Sequence, residues 1–197
     1  MSAKPDDSFD AEAKVAGAAA ILSAIDFPLG KDEFRTKLRQ DRICQILLAV
    51  ADLTPTTPWK SAKVYGNEKA SHAPRSRDII IFLNKHYGTS ISSGSYDDIR
   101  RKNLDYLVEA GLIVSSARRE GASTNDGTRG YAISKEAASL LHGYGSSKWP
   151  ALVKQFRRSH LPLPCNVRRR RGLSKSPFPM ARRSNSRQAL ITGSKSP

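Results

Sequence analysis

Within "SGSYDDIRRKNLDYLVEAGLIV" three cations stand side by side: Arg100, Arg101 and Lys102. Arginine is the usual reader of guanine, because its planar fork donates to O6 and N7 together. Two serines just upstream, Ser93 and Ser95, suit either a helix cap or a phosphate oxygen. Three more arginines, Arg118, Arg119 and Arg129, bracket the polar stretch "RREGASTNDGTRG" and suit the DNA backbone, or simply the solubility of an exposed loop. These residues are the candidate contacts with double-stranded DNA. The competing reading is electrostatic. Residues 97–130 hold six basic and six acidic side chains, so a solvated helix face explains the cluster as well as base reading does.

Hydrolytic chemistry has less to stand on. "PDDSFDAEAK" contains Pro5-Asp6…Glu12-Ala13-Lys14, the letters of a Mg-dependent nuclease centre. Such a centre needs carboxylates converging on a metal with the lysine beside them, normally from strands. Here they fall on a polar terminus and an Ala-rich helix, so the match reads as coincidence, and no catalytic residue is assigned. His72, His86, His142 and His160 are scattered without ligand spacing, and so are Cys44 and Cys165; no metal site is assigned. There is no Gly-rich phosphate loop. Cys44 lies in an apolar run and reads as a small core residue. Trp59, Trp149, Tyr106 and Tyr144 read as core rather than as platforms for bases.

The elements that must position the candidates follow from periodicity. A helix starts near Asp10, an N-cap candidate, and runs through "AEAKVAGAAAILSAI" to a break at Pro28 and Gly30. A second helix is expected over about 32–52, with Phe34, Leu38, Ile43, Ile46, Leu47 and Val50 as its apolar stripe. Pro55 and Pro58 end it. A third runs from Pro74, at the first helical position, to His86, burying Ile79, Ile80, Phe82 and Leu83. A fourth covers Tyr96–Ala110 and ends at Gly111. Its inner side is expected to be Ile99, Leu104, Leu107, Val108 and Ala110, with Arg101 and Lys102 pointing outward and Arg100 close enough to the apolar side to pair internally. The apolar strand "LIVSSA", a loop tipped by Asn125-Asp126-Gly127 and the strand "YAIS" then form a hairpin. Ser134 or Lys135 opens a further helix, and a last amphipathic one covers Trp149–Phe156.

Helix, loop, helix, hairpin is the order of a winged helix. The expected fold class is therefore mainly α: a helical domain over residues 10–158, with a winged-helix core at about 74–143 and a disordered basic tail over 159–197. Such modules bind DNA, but some serve only as protein-interaction surfaces.

The formal net charge of +15 and the pI of about 10.2 point to polyanionic partners. The distribution qualifies this. All 18 acids lie between Asp6 and Glu136, while Arg157 onward carries 11 of the 33 basic residues and no acid. The remaining 22 cations face 18 acids, so the first 156 residues are only mildly basic. The tail "VRRRRGLSKSPFPMARRSNSRQALITGSKSP" cannot bury enough apolar surface to fold. The N-terminus has no signal-peptide pattern and no stretch reaches a membrane-spanning length, so a cytoplasmic protein with no membrane partner is expected.

The stretches "AAAILSAIDFP", "RICQILLAVADLTPTTPW", "IIIFLNKHYGTSISSGSYDDIRRKNLDYLVEAGLIV", "STNDGTRGYAIS" and "LLHGYGSSKWPALVKQF" resemble the N-terminal helix-turn-helix region of the BsuBI/PstI type II restriction endonucleases. The likeness covers residues 12–158 or so. It implies a prokaryotic restriction-modification system, recognition of CTGCAG, and Mg-dependent cleavage by a separate C-terminal nuclease domain. After Phe156, where that domain should begin, the basic tail stands instead. Read one base out of register, the tail's codons permit Val-Pro-Val from Lys175–Phe178 and Glu-Leu-Ser-Pro-Gly-x-His-Asn from Ser184–Thr192, resembling the opening of that second domain. The expectation is a truncated chain with a frameshifted tail that binds DNA, holds no cofactor itself and does not cut; a homodimer is compatible. Two alternatives stay open: a regulatory or chromatin-type DNA-binding protein whose basic arm works, its two Lys-Ser-Pro triplets suited to phosphorylation, and a winged-helix module that binds protein alone.

Overall fold

A run of six consecutive buried residues, Ile46–Ala51, organises the structure. They close α2 (Lys37–Val50), whose last turns also bury Ile43 and Cys44. A helix apolar on all sides needs partners on all sides. In this computed structural model α1 (Asp7–Ala24) covers α2 with Val15, Ala18, Ile21 and Leu22. The helix α3 (Ser76–His86) covers it with Ile79, Ile80 and Leu83. The described residues are 7–64, 72–115 and 130–160. All lie in the first of two compact units, Met1–Cys165; the second, Asn166–Pro197, with most of the expected tail, lies outside them.

The third partner of α2 is a composite helix. It consists of α4 (Tyr96–Ile99), a π-helical turn (Arg100–Leu104) and α5 (Asp105–Glu109). Ile99, Arg100, Leu104 and Asp105 all keep right-handed helical backbone angles, so the three pieces run without a break. Next come two antiparallel strands, β1 (Ile113–Ser115) and β2 (Tyr131–Ile133), in the register Ile113↔Ile133, Val114↔Ala132, Ser115↔Tyr131. Val64 adds one parallel bridge to Ile133. Then follow α6 (Lys135–Gly143) and α7 (Trp149–Ser159). The architecture is mainly helical with a small hairpin sheet, a winged helix as expected.

Several boundaries differ from the expectation, each for a tertiary reason. Asp10 is not an N-cap, because α1 begins at Asp7; nothing after Pro5 interrupts a helix. The second helix is split into a 3-10 turn, Asp32–Phe34, and α2, with an extended Thr36 between them. Phe34 causes the split: its ring is buried between Phe27 (5.2 Å between ring centroids) and Tyr106 (5.1 Å). The turn leaves Leu38 at 72% exposure, outside the stripe expected to bury it. Pro74 stays outside α3, and its carbonyl accepts the Tyr131 N–H of β2 at 3.0 Å. Arg75 takes the cap position instead, and the Asp78 carboxylate accepts its backbone N–H at 2.9 Å. Phe82 is half-buried against His86 rather than in the core.

The π turn changes the inner face of the composite helix. It sets Ile99 and Leu104, five apart, on one side. Asn103 and Tyr106 join the buried set, while Val108 is left half-buried. Trp59, Tyr144 and Trp149 are half-buried; Tyr144 packs tilted on Trp59 at 4.8 Å and edge to face with Trp149 at 5.3 Å. Burial pushes the Cys44 thiol up to about 12, so at neutral pH it is an inert apolar group. No helix among the described residues is long and apolar enough to cross a membrane.

Gly111 closes the composite helix as expected. Its φ is +71°, its N–H bonds the Val108 carbonyl at 3.0 Å, and Leu112 N–H bonds Leu107 at 3.0 Å. A Cβ there would lie 2.1 Å from the His160 ring, which stacks on Phe156 at the end of α7. Left-handed backbone costs a non-glycine residue ~1–2 kcal/mol, and overpacking adds ~1–3. Gly111→Ala should therefore lower unfolding free energy in urea by about 3 kcal/mol. In a His160→Ala background only the backbone part should remain; an equal loss in both backgrounds would show that the ring is not what the glycine accommodates.

Candidate nucleic-acid interface

The turn between α3 and the composite helix is pinned from several directions. Tyr87 donates its hydroxyl to the Leu53 carbonyl at 2.7 Å, tying the end of α3 to the core. Burial holds that phenol well above its ordinary pKa, so it remains a donor. Asn84 serves the loop from α3: its amide donates to the Ile91 carbonyl at 2.9 Å, and its oxygen accepts Ile91 N–H at 2.9 Å and the Thr89 hydroxyl at 2.7 Å. A 3-10 turn, Ser93–Ser95, leads into Tyr96. Neither Ser93 nor Ser95 gives the helix a side-chain cap; Ser92 caps the 3-10 turn, its hydroxyl accepting Gly94 N–H at 3.4 Å. Ser93 is exposed; Ser95 holds the N-cap position of α4 without a side-chain bond.

The outward face carries paired charge. Arg100 donates to Asp97 at 2.9 Å, the internal pairing its position suggested, and is half-buried. Arg101 binds the other oxygen of the same carboxylate. Lys102 meets Asp98 at 2.9 Å. Hydrogen bonding from Arg100 holds the Asp97 carboxyl below its usual range, and the same bond raises the Arg100 guanidinium. All three pairs are three or four residues apart on one helix, so this neutralisation was legible as spacing. Arg101 and Lys102 still expose 62% and 51% of their side chains.

A contact between elements lay beyond any spacing rule. The Arg77 guanidinium, in the first turn of α3, lies 4.9 Å from the centre of the Tyr96 ring, which is 43% exposed. Arg118, Arg119 and Arg129, with the hairpin tip, lie outside the described residues.

On the far side of the strands, Ser134 joins the wing to the helix. It accepts Ala137 N–H at 3.1 Å as the N-cap of α6 and donates to the Gly111 carbonyl at 2.7 Å. One helix, a pinned turn, a second helix with outward cations and a hairpin locked to its end make a helix-turn-helix arrangement. The BsuBI/PstI restriction endonuclease HTH domain matches residues 12–163. The chain belongs to this family.

The structure of the SdaI restriction endonuclease is similar, with a TM-score of 0.59 and 23% identity over 73% of this chain. At that identity the likeness speaks for the fold. The chain spans 41% of the SdaI chain's length. No curated protein matches significantly. The described residues do not fit a metal-ion centre. No three His, Cys, Asp or Glu among them converge for a metal ion. Lys14, the last letter of the nuclease-like string, is buried. It donates to the Thr57 carbonyl and lies 4.4 Å above the Trp59 ring, whereas Glu12 is exposed.

Asn84 tests whether the turn is held as described. Asn84→Ala removes bonds worth ~0.5–1.5 kcal/mol each in net terms. Stability should fall by about 1–2 kcal/mol, and hydrogen exchange at the Ile91 amide should accelerate at least tenfold. An unchanged Ile91 exchange rate would mean that the loop is ordered by something else.

Proposed function

We propose that this chain binds duplex DNA through the composite helix, as the target-reading region of a type II restriction endonuclease. The observation that carries the reading is the outward pair Arg101 and Lys102, mounted on a helix whose start, end and inner face are all fixed. Their bonds to Asp97 and Asp98 are exposed ion pairs, which contribute little net stability. A guanine edge or a phosphate competes readily with such a partner. Arg100, with Asp97, orients the first turn. Ser93 and Ser95 lie where a phosphate would pass, and the wing arginines Arg118, Arg119 and Arg129 are assigned to backbone contacts on the hairpin.

CTGCAG is the target to try first, given the family. Its twofold symmetry suits a homodimer presenting two such helices. Strand scission and its Mg belong, in this reading, to a nuclease domain of the family's kind and not to the residues described above. The basic arm favours a second reading. Eleven cations without an acid from Arg157 onward would bind any polyanion by counterion release.

Fluorescence anisotropy with duplexes containing CTGCAG or its scrambled order separates the two. The full chain should prefer CTGCAG at physiological salt, and a chain ending at His160 should keep that preference. Arg101→Ala with Lys102→Ala should lower affinity for CTGCAG by tenfold or more, since one good base contact is worth ~1–3 kcal/mol. Loss of all binding on tail deletion would favour the arm. No binding by either chain would leave a protein-interaction module.

A further inference from the structure

Among the cations around the turn, Arg77 differs from its neighbours. Arg75 is held by Asp78, Arg100 and Arg101 by Asp97, and Lys102 by Asp98. Arg77 is exposed and has no carboxylate partner among the described residues. It is held by an aromatic ring instead, 4.9 Å from its guanidinium carbon. Tyr96, which supplies that ring, is among the few large hydrophobic side chains left exposed. A face of tyrosine fixes a guanidinium electrostatically without using up its N–H donors. The fork is thereby oriented while its donors stay free for an anion. The tyrosine hydroxyl, on the same exposed ring, is a further donor.

The position of the pair says which anion. Arg77 comes from the first turn of α3 and Tyr96 from the first residue of α4. In a helix-turn-helix the first helix crosses the sugar-phosphate backbone while the second enters the major groove. The pair therefore stands where the strand passes between the two helices. An oriented guanidinium matches a phosphodiester's two free oxygens in a bidentate geometry. We infer that Arg77 and Tyr96 form a phosphodiester-binding site that sets the depth and register of the composite helix on duplex DNA. The inference rests on the DNA-binding reading above. It assigns this pair to positioning, and leaves base choice to Arg101 and Lys102.

The test is the salt dependence of binding, measured on the full chain with a CTGCAG duplex and its scrambled counterpart. One lost phosphate contact lowers the slope of log K against log salt by about 0.9. Arg77→Ala should show that reduction and weaken both duplexes by the same factor, leaving the ratio between them intact. Arg77→Lys should restore the slope but not the full affinity, because a lysine keeps the charge and loses the stacked fork. Tyr96→Ala should weaken both duplexes with the slope near wild type. Unchanged slope and affinity in Arg77→Ala, with wild type binding normally, would overturn the phosphate site alone. So would the same slope reduction from Lys60→Ala, which would make the effect one of net charge. Failure of wild type to bind either duplex would instead remove the DNA-binding reading itself, and this site with it.

Discussion

The encirclement of α2 is the constraint on which the other elements depend. Each of its fully buried Leu and Ile side chains contributes ~1.5–3 kcal/mol when removed from water, and they point in every direction around the axis. A helix of this kind cannot rest on one neighbour. It requires α1, α3, the composite helix and β2 together, and so fixes their mutual positions. The polar ties are set around this apolar shaft. Lys63 N–H bonds the Ala51 carbonyl at 2.9 Å and the Tyr87 hydroxyl bonds that of Leu53, both just beyond the end of α2. Core and interface are thus mechanically one object: α3 and the composite helix cannot shift without opening the burial of α2.

The wing is tied to this frame by a few short bonds around one corner. Ser134 N–H reaches the Leu112 carbonyl at 3.0 Å, its hydroxyl reaches Gly111, and Tyr131 N–H reaches Pro74. The hairpin base therefore touches both the end of the composite helix and the approach to α3. Binding modules gain affinity when their contact groups are ordered beforehand, since less freedom is lost on association. Helix face and wing base here share one set of hydrogen bonds, and the left-handed Gly111 with the Phe156–His160 stack behind it completes the corner.

Charge is distributed differently from what the total suggests. Most of the excess lies from Arg157 onward, and the residues before it are close to balanced. On the composite helix two carboxylates already engage three cations. Exposed pairs of this kind are screened beyond a Debye length and hold their cations only weakly. This division suits recognition by contact rather than by bulk field, and sets Arg77, held by a ring instead of an acid, apart from the others.

Local chemistry in the sequence was enough for the order of the elements, the apolar stripe from Ile43 to Val50, the stop at Gly111, a helix opening at Ser134 or Lys135 and the two strands. Each depends on residues within a few positions of one another, through helical or strand periodicity, backbone permissiveness or a short side chain reaching its own helix. The family likeness was also legible, and the pairing of Asp97 and Asp98 with the cations followed from their three- and four-residue spacing. Only the tertiary structure decided the rest. Phe34 breaks a helix because rings from residues 27 and 106 enclose it; Pro74 stays outside α3 because a strand more than fifty residues later needs its carbonyl. The π turn follows the fit of Ile99 and Leu104 to the core, and Lys14 turns inward to Thr57 and Trp59. Arg77 meets Tyr96 across a turn whose shape is set by Asn84. These outcomes are contacts between residues distant along the chain, and periodicity carries no information about which distant side chains will share a volume.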